Sequence, residues 1–429
     1  MTCNCLTQVT RDVKRIENCG MYVDLIKTSR GVVRMGSMPD ISKFLTLHGF
    51  REEIVVVPDW EGSMAGDNHT GEEFVLWQAQ VKGGIRKHYV GKSVNLSQMY
   101  YNLNDTFSYF FDPKRISIMK KRWLDNWFKG HIAAPIYENG PLKIDFGKGN
   151  IVLSDHGKVL YDRLEFTPSQ NPDSQIEKVL AKVPTDSKPR QALEIKAVGT
   201  GNGFVGTVAS FIVRFYKQVI WIDPCGFPAH TLARHGVHWD DITHILITHN
   251  HEDHIQGFSA CLKRAEYTKT PLNLITASSI YGQLKKQFTP FCPGFNALVN
   301  FIPLSPGTLL ELDSIQINSR WNHHFLPYGT LGLRISANGK TLGFSGDTKL
   351  DATINGVLKR EELLPQWFAH CDLIFHEVDF DNPASVHTHW KQVELLQQEI
   401  SGKVLVYHTP FLANAPLPLV QEGKTYCLE

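Results

Sequence analysis

The sequence lacks several features that would place it in a specialised class of proteins. It contains no apolar run of membrane-spanning length, and its first residues lack the apolar core of a secretory signal. We therefore expect a cytoplasmic protein with no membrane partner. The formal net charge is only +1, from 44 basic and 43 acidic residues. So small a charge argues against a protein that coats nucleic acid by bulk electrostatics, but it allows a local basic patch.

Cysteines are also few, and they show no regular spacing. The eight cysteines do not form the pattern of a disulfide framework, so we expect reduced thiols. Cys3 and Cys5 have the short spacing of a metal site, but no second pair lies near them, which favours a flexible terminus. At 429 residues the chain exceeds what one hydrophobic core usually supports, and we expect two domains.

A polar segment separates two parts of different character. Residues 165–190 are rich in proline, serine, aspartate and lysine, which is typical of a linker. We predict a mixed α+β domain over residues 1–165, a linker over 166–190 and a second domain over 191–429. In the first domain, Arg115–Lys129 has apolar residues at helical spacing and a basic face. We interpret that face as a solvated surface, with phosphate contact as the alternative.

The second part is predicted to be an α/β layered domain. Short runs rich in β-branched and aromatic residues predict strands at 193–198, 210–215 and 219–223, and a helical stretch follows at 229–235. The apolar run 242–248 predicts a buried strand, and strands alternating with helices continue beyond it.

A glycine-rich segment imitates a dinucleotide-binding motif. Gly201, Gly203 and Gly206 have the spacing GxGxxG, and Asp223 lies about twenty residues further on, as in sites for a nicotinamide cofactor. That motif requires a helix whose N-terminus holds the pyrophosphate, whereas the residues after these glycines favour a strand. We therefore predict a tight glycine loop beside the active site, where a bare backbone lets a substrate approach closely.

The main chemical signal follows the predicted buried strand. The segment 248–254 reads THNHEDH and holds three imidazoles and a carboxylate close together. Imidazole nitrogens and carboxylate oxygens suit Zn²⁺ and chemically similar ions. In an extended segment, residues two apart point the same way, so His249 and His251 can hold one ion together. The turn that follows can direct Asp253 and His254 at a second ion.

This H-x-H-x-D-H string resembles the hallmark of the metallo-β-lactamase superfamily, and later segments extend the resemblance in the same order. Similar to the family's ligand segments are Asn322–Pro327, the Gly-Asp-Thr string at 346–348, and His408 after a strand. The resemblance covers about residues 192–415. It implies the fold class α/β (α+β), with a metallo-β-lactamase αββα sandwich in the C-terminal half that follows the separate N-terminal domain.

Carried over residue by residue, the resemblance implies two divalent metal ions. The first ion would take the ligands His249, His251 and His324. The second ion would take the ligands Asp253, His254 and His408. Asp347 would bridge the two ions, and His323 is the alternative to His324. Zinc is the ion that this donor set suits first, with manganese or iron as alternatives, and a pair of such ions acidifies a bridging water.

Two motifs between the bridging aspartate and the last histidine ligand indicate a branch of the superfamily. The strings His-Glu and His-Thr-His resemble paired elements of the ribonuclease Z-like phosphodiesterase branch, in which a glutamate-supported histidine protonates the leaving oxygen. The resemblance implies His387 as this general acid, oriented by Glu377, with His389 as the next candidate. Asp253, beside the nucleophilic water, is the candidate general base.

We predict a binuclear metal-dependent hydrolase that acts on a small phosphodiester such as a cyclic nucleotide. Transfer-RNA processing relatives carry a basic, glycine-rich arm, and the sequence between Asp253 and His408 has no such insertion. The alternatives are a ribonuclease Z-like RNA endonuclease, with nucleic acid as its partner, and a lactonase or other carboxylic ester hydrolase. The role of residues 1–165 stays open between capping the active site, recognising substrate and forming a homodimer.

Overall fold

The structure is a computed structural model, and the residues it describes fall in ranges separated by gaps. These ranges are 6–18, 21–36, 41–57, 87–91, 96, 132–133, 136–147, 150–164, 181–186, 188–203, 206–289, 292–324, 329–350, 363–383, 385–409 and 412–429. Two predictions lie outside them: the basic helix Arg115–Lys129 and the pair Cys3 and Cys5. The five described cysteines are free thiols, as expected.

The chain divides into two compact units. The first comprises Met1–Val179 with Gln287–Pro293, and the second comprises Leu180–Lys286 with Gly294–Glu429. The division after Val179 falls within the segment for which the sequence predicts a linker. The linker itself stays a prediction, because residues 165–180 are not described.

The first unit contains two sheets and one described helix. Its strands are β1 (Leu6–Gln8), β2 (Val13–Asn18), β3 (Met21–Thr28), β4 (Gly31–Met35), β5 (Ile54–Val57), β6 (His88–Gly91), β7 (Ile132–Ala133), β8 (Ile136–Asn139), β9 (Leu142–Phe146), β10 (Asn150–Asp155) and β11 (Lys158–Leu164), with helix α1 (Ile41–Leu47) between β4 and β5. Strands β1–β7 form one sheet in chain order and β8–β11 form the other. Alternating apolar side chains of both sheets, such as Val33 and Ile144, share one hydrophobic cluster, which makes this unit a sandwich.

The second unit contains two larger sheets. Its strands are β12 (Arg190–Gly199), β13 (Ser210–Tyr216), β14 (Gln218–Ile222), β15 (His244–Leu246), β16 (Leu272–Thr276), β17 (Val299–Pro303), β18 (Leu309–Leu312), β19 (Ile315–Trp321), β20 (Leu331–Ala337), β21 (Lys340–Phe344), β22 (Leu373–Glu377), β23 (Lys403–Tyr407) and β24 (Thr425–Leu428). The first sheet has the order β17-β16-β15-β14-β13-β12-β24, and the second has the order β18-β19-β20-β21-β22-β23. In the second sheet β18–β21 are antiparallel and β21–β23 are parallel.

The two sheets of the second unit face each other across an aromatic core. The ring of Phe211 on β13 lies 5.2 Å from the rings of both Phe344 and Tyr407, which belong to the opposite sheet. All three side chains are buried. Large edge-to-face aromatic contacts of this kind bury much apolar area and fix the spacing of the two layers.

Helices cover the outer faces of this sandwich. The helices are α2 (Pro228–Arg234), α3 (Glu252–Ile255), α4 (Phe258–Thr268), α5 (Ser278–Phe288), α6 (Phe295–Leu298), α7 (Leu363–Phe368) and α8 (Trp390–Glu399). Tyr281 of α5 stacks on Phe301 of β17 with 4.0 Å between ring centroids. On the other side, Val393 and Leu396 of α8 share a hydrophobic cluster with Val406 of β23. The second unit is therefore an αββα sandwich, which confirms the fold that the resemblance implies.

The large sheets of the two units repeat one arrangement. In the first unit, β1–β4 are antiparallel and β4–β7 are parallel. In the second unit, β24, β12, β13 and β14 are antiparallel neighbours and β14–β17 are parallel. The two sheets therefore have the same succession of antiparallel and parallel strand pairs. No helix among the described residues is long and apolar enough to cross a membrane.

Candidate metal centre

Chemistry-bearing residues of the second unit follow the ends of its parallel strands. His249 comes three residues after β15, Asp347 comes three residues after β21, and His408 directly follows β23. β21 and β23 both run parallel to β22 and so end at the same edge of their sheet, whereas β15 belongs to the facing sheet. The segments that follow the three strands come together there.

A first group of ligand atoms contains His249, His251, His324 and Asp347. Nε2 of His249 lies 3.1 Å from Nδ1 of His251, and Nε2 of His324 lies 3.0 Å from that same nitrogen. Oδ2 of Asp347 is 3.9 Å from Nε2 of His249 and 3.7 Å from Nε2 of His324. One ligand atom from each residue lies within 4.8 Å of all the others, which is the spacing of a shared metal ion.

A second group contains Asp253, His254 and His408, again within 4.8 Å of one another. Nε2 of His408 is 3.1 Å from Oδ2 of Asp253, and Nε2 of His254 is 3.9 Å from that oxygen. Asp347 also faces this group, because its Oδ1 is 3.4 Å from Nε2 of His254 and its Oδ2 is 3.6 Å from Nε2 of His408. Asp347 therefore lies between the two groups.

The seven residues for which the sequence predicts metal binding are thus brought together in one place. Of the two adjacent candidates His323 and His324, His324 has its ring in the first group. His323 is in none of the three groups of ligand atoms among the described residues, and its carbonyl oxygen accepts a hydrogen bond of 2.7 Å from the backbone N–H of Lys349.

The protonation of the first group fits a cation. Burial lowers the pKa of His251 to about 4 and lowers the pKa of His249 and His324 well below the usual value. Neutral imidazoles with converging lone pairs are the form of histidine that binds metal ions. Burial raises the pKa of Asp347, but the charges of His408 and His254 outweigh it and hold the pKa well below its usual range. A carboxylate therefore faces the three neutral rings.

The second group also fits a cation. Nε2 of His254 and Oδ1 of Asp347 are buried and have no hydrogen-bond partner among the described residues. Burial raises the pKa of Asp253, yet the charges of His254 and His408 lower it well below its usual range, so this group offers a second carboxylate. Buried polar atoms normally have partners, and an ion between these atoms would supply one. Divalent metal ions are what the fold implies and what these residues can bind.

A buried aspartate that the sequence did not mark as functional orients the imidazoles. Asp223 follows β14 and accepts hydrogen bonds from Nδ1 of His254 at 2.8 Å and from the hydroxyl of Thr248 at 2.7 Å. Since that hydroxyl donates its proton to Asp223, it accepts from Nδ1 of His249, which lies 3.0 Å away. Both rings thus direct Nε2 toward the ligand groups, as ligand histidines do. Burial lowers the pKa of His254, but the charges of Asp347, Asp253 and Asp223 outweigh it and raise the pKa well above the usual value, so a metal ion would bind there by displacing the proton on Nε2. The sequence signal for this role is the position of Asp223 at the end of β14, the strand that pairs with β15.

The backbone before Asp347 admits only glycine. Gly346 has a φ of +57°, which side chains rarely allow, and a Cβ there would lie 2.2 Å from the carbonyl oxygen of Leu331. The side chain of Asn322 donates hydrogen bonds to the carbonyl oxygens of Ser345 and Asp347, at 2.5 and 3.2 Å. The backbone conformation of Gly346 and the hydrogen bonds from Asn322 therefore fix the turn that carries Asp347.

The glycine segment forms a loop beside the site. After β12 ends at Gly199, the backbone N–H of Gly201 donates to the carbonyl oxygen of Thr207 at 2.7 Å. A Cβ on Gly203 would lie 3.4 Å from Oδ2 of Asp253, so this backbone lies against the second group. No helix begins among the described residues of the loop, and the alternative of a nicotinamide site has no support here.

His387 forms a third group of ligand atoms with Asp347 and His408, and it also pairs with a glutamate. Nδ1 of His387 donates a hydrogen bond of 2.9 Å to Oε2 of Glu377. The Glu377 side chain is fully buried, whereas that of His387 is 23% exposed. Burial lowers the pKa of His387, but the charge of Glu377, its hydrogen bond and the charge of Asp347 outweigh burial and raise the pKa to about 9. His387 therefore carries a proton at neutral pH and can donate it.

His389 has a different place. It is the N-cap of α8: its carbonyl oxygen accepts a hydrogen bond of 2.9 Å from the backbone N–H of Gln392, whose side chain in turn accepts one of 3.2 Å from the backbone N–H of His389. The glutamine at the third helical position thus satisfies the N–H group of the N-cap residue at the start of the helix. His389 does not belong to any group of ligand atoms among the described residues.

The chain is similar to several known proteins. The family model described as "Anti-Pycsar protein Apyc1" matches residues 193–413. The chain is 24% identical over 251 residues to a "cGMP-dependent 3′,5′-cGMP phosphodiesterase A" of Dictyostelium discoideum, a match that covers 54% of this chain and 28% of the relative. It is 26% identical over 159 residues to a "Ribonuclease Z" of Crocosphaera subtropica, a match that covers 34% of this chain and 49% of the relative.

Among solved structures, the metallo-β-lactamase fold protein YhfI from Bacillus subtilis is 14% identical, with a TM-score of 0.46, and the match covers 55% of this chain and 99% of that one. The chain spans less than half the length of these two curated relatives. The sequence matches confirm the resemblance to the superfamily and its ribonuclease Z-like phosphodiesterase branch.

Proposed function

The chain belongs to the family described as Anti-Pycsar protein Apyc1, and from this premise we propose that it is a metal-dependent phosphodiesterase that cleaves a cyclic nucleotide. The observation that carries the proposal is the hydrogen-bonded pair of Glu377 and His387 beside Asp347 and His408. An ester with a good leaving group does not need a proton donor, whereas a departing ribose alkoxide does. A protonated histidine beside the ligands is therefore most useful to a phosphodiesterase.

We propose two divalent ions, with zinc as the first candidate. The first would be held by the three neutral histidines His249, His251 and His324, and the second by Asp253, His254 and His408, with Asp347 between them. When bound, the ions would acidify a water to supply the nucleophile and stabilise charge on the phosphate oxygens. Asp253 is deprotonated because His254 and His408 lower its pKa, so it can accept the proton of the attacking water.

The chain's own residues account for the protons of the reaction. As the water oxygen bonds to phosphorus, its proton passes to Asp253, and the bond from phosphorus to the ribose oxygen breaks. His387 then gives its Nε2 proton to that oxygen, because its Nδ1–H is engaged with Glu377. The product is a nucleoside monophosphate with a free ribose hydroxyl, and Glu377 stabilises the charged ring of His387 before transfer.

The choice of a small substrate is supported by two observations. A relative that covers 54% of this chain bears the name of a cGMP phosphodiesterase. The sequence between Asp253 and His408 lacks the basic, glycine-rich arm of transfer-RNA processing enzymes. The match to a ribonuclease Z favours a second candidate, an RNA endonuclease with nucleic acid as its partner. Capping of the active site, recognition of substrate and homodimer formation stay equal predictions for the role of residues 1–165.

The proposal is tested by metal content and by cleavage of bis-(p-nitrophenyl) phosphate before and after chelation. Close to two metals per chain, with cleavage that chelation abolishes and zinc restores, would support it. Cyclic nucleotides and a precursor transfer RNA would then be compared as substrates. Two metals without cleavage of any phosphodiester would overturn the substrate class in favour of lactones or other carboxylic esters. No metal after reconstitution would overturn the whole proposal.

A further inference from the structure

Lys349 has a position that the reaction as proposed does not use. It lies two residues after Asp347 and is only 9% exposed. Its ammonium group donates hydrogen bonds to two backbone carbonyl oxygens, that of Pro383 at 2.8 Å and that of His387 at 3.0 Å. A buried ammonium group is costly unless its donors are satisfied, and hydrogen bonds from a charged donor are stronger than neutral ones. The lysine thus binds the backbone of the residue proposed as general acid.

The same lysine also contacts the segment that carries a metal ligand. Its backbone N–H donates to the carbonyl oxygen of His323 at 2.7 Å, next to His324. Through its side chain and its backbone, Lys349 therefore connects three segments of the site: those that carry Asp347, His324 and His387. The side chain of Lys349 donates to the backbone of the segment that carries His387.

Thr388 fixes the neighbouring peptide but leaves the His387 carbonyl to other donors. Its hydroxyl donates to the carbonyl oxygen of Thr348 at 2.7 Å, and its backbone N–H donates to Oε1 of Glu377 at 2.8 Å. The hydroxyl of Ser385 approaches the His387 carbonyl only at 3.4 Å. The hydrogen bond from Lys349 to the His387 carbonyl, at 3.0 Å, is shorter than that from Ser385. Lys349 also differs from Ser385 in that it belongs to the segment after β21 that carries Asp347.

We propose that Lys349 is a positioning residue that holds His387 in place for protonation of the leaving oxygen. This inference rests on the proposed function, because it assigns Lys349 a part in the step that His387 performs. A misplacement of a catalytic group by about 1 Å can cost on the order of a hundredfold in rate, so two backbone contacts on the His387 segment matter to that step.

Two substrates that differ in their leaving groups distinguish this role from a general structural one. A 3′,5′-cyclic nucleotide releases a ribose alkoxide, which must be protonated, whereas bis-(p-nitrophenyl) phosphate releases a p-nitrophenolate that leaves without a proton. Loss of a contact that only maintains the fold should affect both substrates alike. Loss of a contact that positions the proton donor should affect the cyclic nucleotide more.

The experiment compares Lys349→Met, which removes the donors, with Lys349→Arg, which keeps them. The matched control is Lys340→Met at the start of β21, where the side chain is 38% exposed and lies near Asp372. For the full-length zinc-loaded proteins, kcat and KM on both substrates and zinc content would be measured. If Lys349→Met does not fold, Lys349→Gln, which retains one amide donor, provides the same comparison.

We expect Lys349→Met to lower the ratio of kcat on the cyclic nucleotide to kcat on the aryl ester about tenfold or more, with zinc content and KM kept. Lys349→Arg should recover most of this ratio, and Lys340→Met should not change it. Equal losses on both substrates, loss of zinc or an unchanged ratio would each overturn the inference. A wild-type protein that cleaves neither substrate would overturn the proposed function instead.

Discussion

Asp223 and His254 are 31 residues apart in the chain, and Oδ2 of Asp223 accepts a hydrogen bond of 2.8 Å from Nδ1 of His254. The same carboxylate binds Thr248 through both the backbone N–H, at 2.8 Å, and the hydroxyl, at 2.7 Å. One buried aspartate therefore fixes the start of the ligand segment and the orientation of a ligand ring. In metal sites such a carboxylate sets the tautomer and raises the basicity of the histidine.

Replacement of Asp223 should weaken metal binding although Asp223 is not itself in a ligand group. Asp223→Asn keeps the shape but removes the charge that holds the His254 proton on Nδ1. We expect zinc affinity to fall by about 10–100-fold, measured by competition with a chromophoric chelator. The control is Asp240→Asn, because Asp240 is 54% exposed and pairs with Arg264 at 3.0 Å. Equal zinc affinity of wild type and Asp223→Asn would refute this role.

Local spacing was sufficient to predict part of this site. His249 and His251 are neighbours in an extended segment, so their common direction follows from the period of the backbone. The choice between His323 and His324 had no such basis, because it depends on how the segment after β19 approaches His251 at 3.0 Å. The alternation of side chains along a strand does not predict which side chain of the following loop points to the site.

Long-range partners were beyond the sequence for a different reason. Asp223 acts on Thr248 across 25 residues, and Lys349 acts on the His387 carbonyl across 38. Neither contact has a spacing rule, since the contacts exist only after β14 pairs with β15 and β21 pairs with β22. The sequence also did not predict that the large sheets of the two units share one strand arrangement, because two sheets can have the same topology without a common sequence motif.

The two histidines of the His-Thr-His string should have separable roles. His387→Ala removes the proposed proton donor, and we expect kcat on a cyclic nucleotide to fall by about 10²–10⁴-fold with metal content intact. His389→Ala removes the N-cap of α8, so the free energy of unfolding should fall by about 0.5–2 kcal/mol while turnover is largely kept. The measurements are steady-state kinetics, elemental analysis and denaturant unfolding. Loss of metal in His387→Ala, or severe loss of turnover in His389→Ala, would contradict this assignment.

Glu377 should set the pH at which the reaction loses its proton donor. Burial lowers the pKa of His387, but Glu377 contributes most to the opposing effects that raise it to about 9. A general acid must be protonated, so kcat should stay level below that pKa and fall as the pH rises through it. Bound cations would offset the charges of Asp347 and Asp253, and Glu377 would still be the carboxylate hydrogen-bonded to the ring.

The Glu377→Gln variant should therefore shift the alkaline limb of the pH profile to lower pH. Glutamine keeps the shape of the side chain but removes the negative charge that favours the protonated ring, so His387 loses its proton at a lower pH. The measurement is kcat against pH, from about 6 to about 10, on a substrate with an alkoxide leaving group. Glu399→Gln, at the exposed end of α8, is the control. An alkaline limb that stays in place in Glu377→Gln would show that His387 does not supply the proton, whereas a shift confined to that variant would identify the titrating pair.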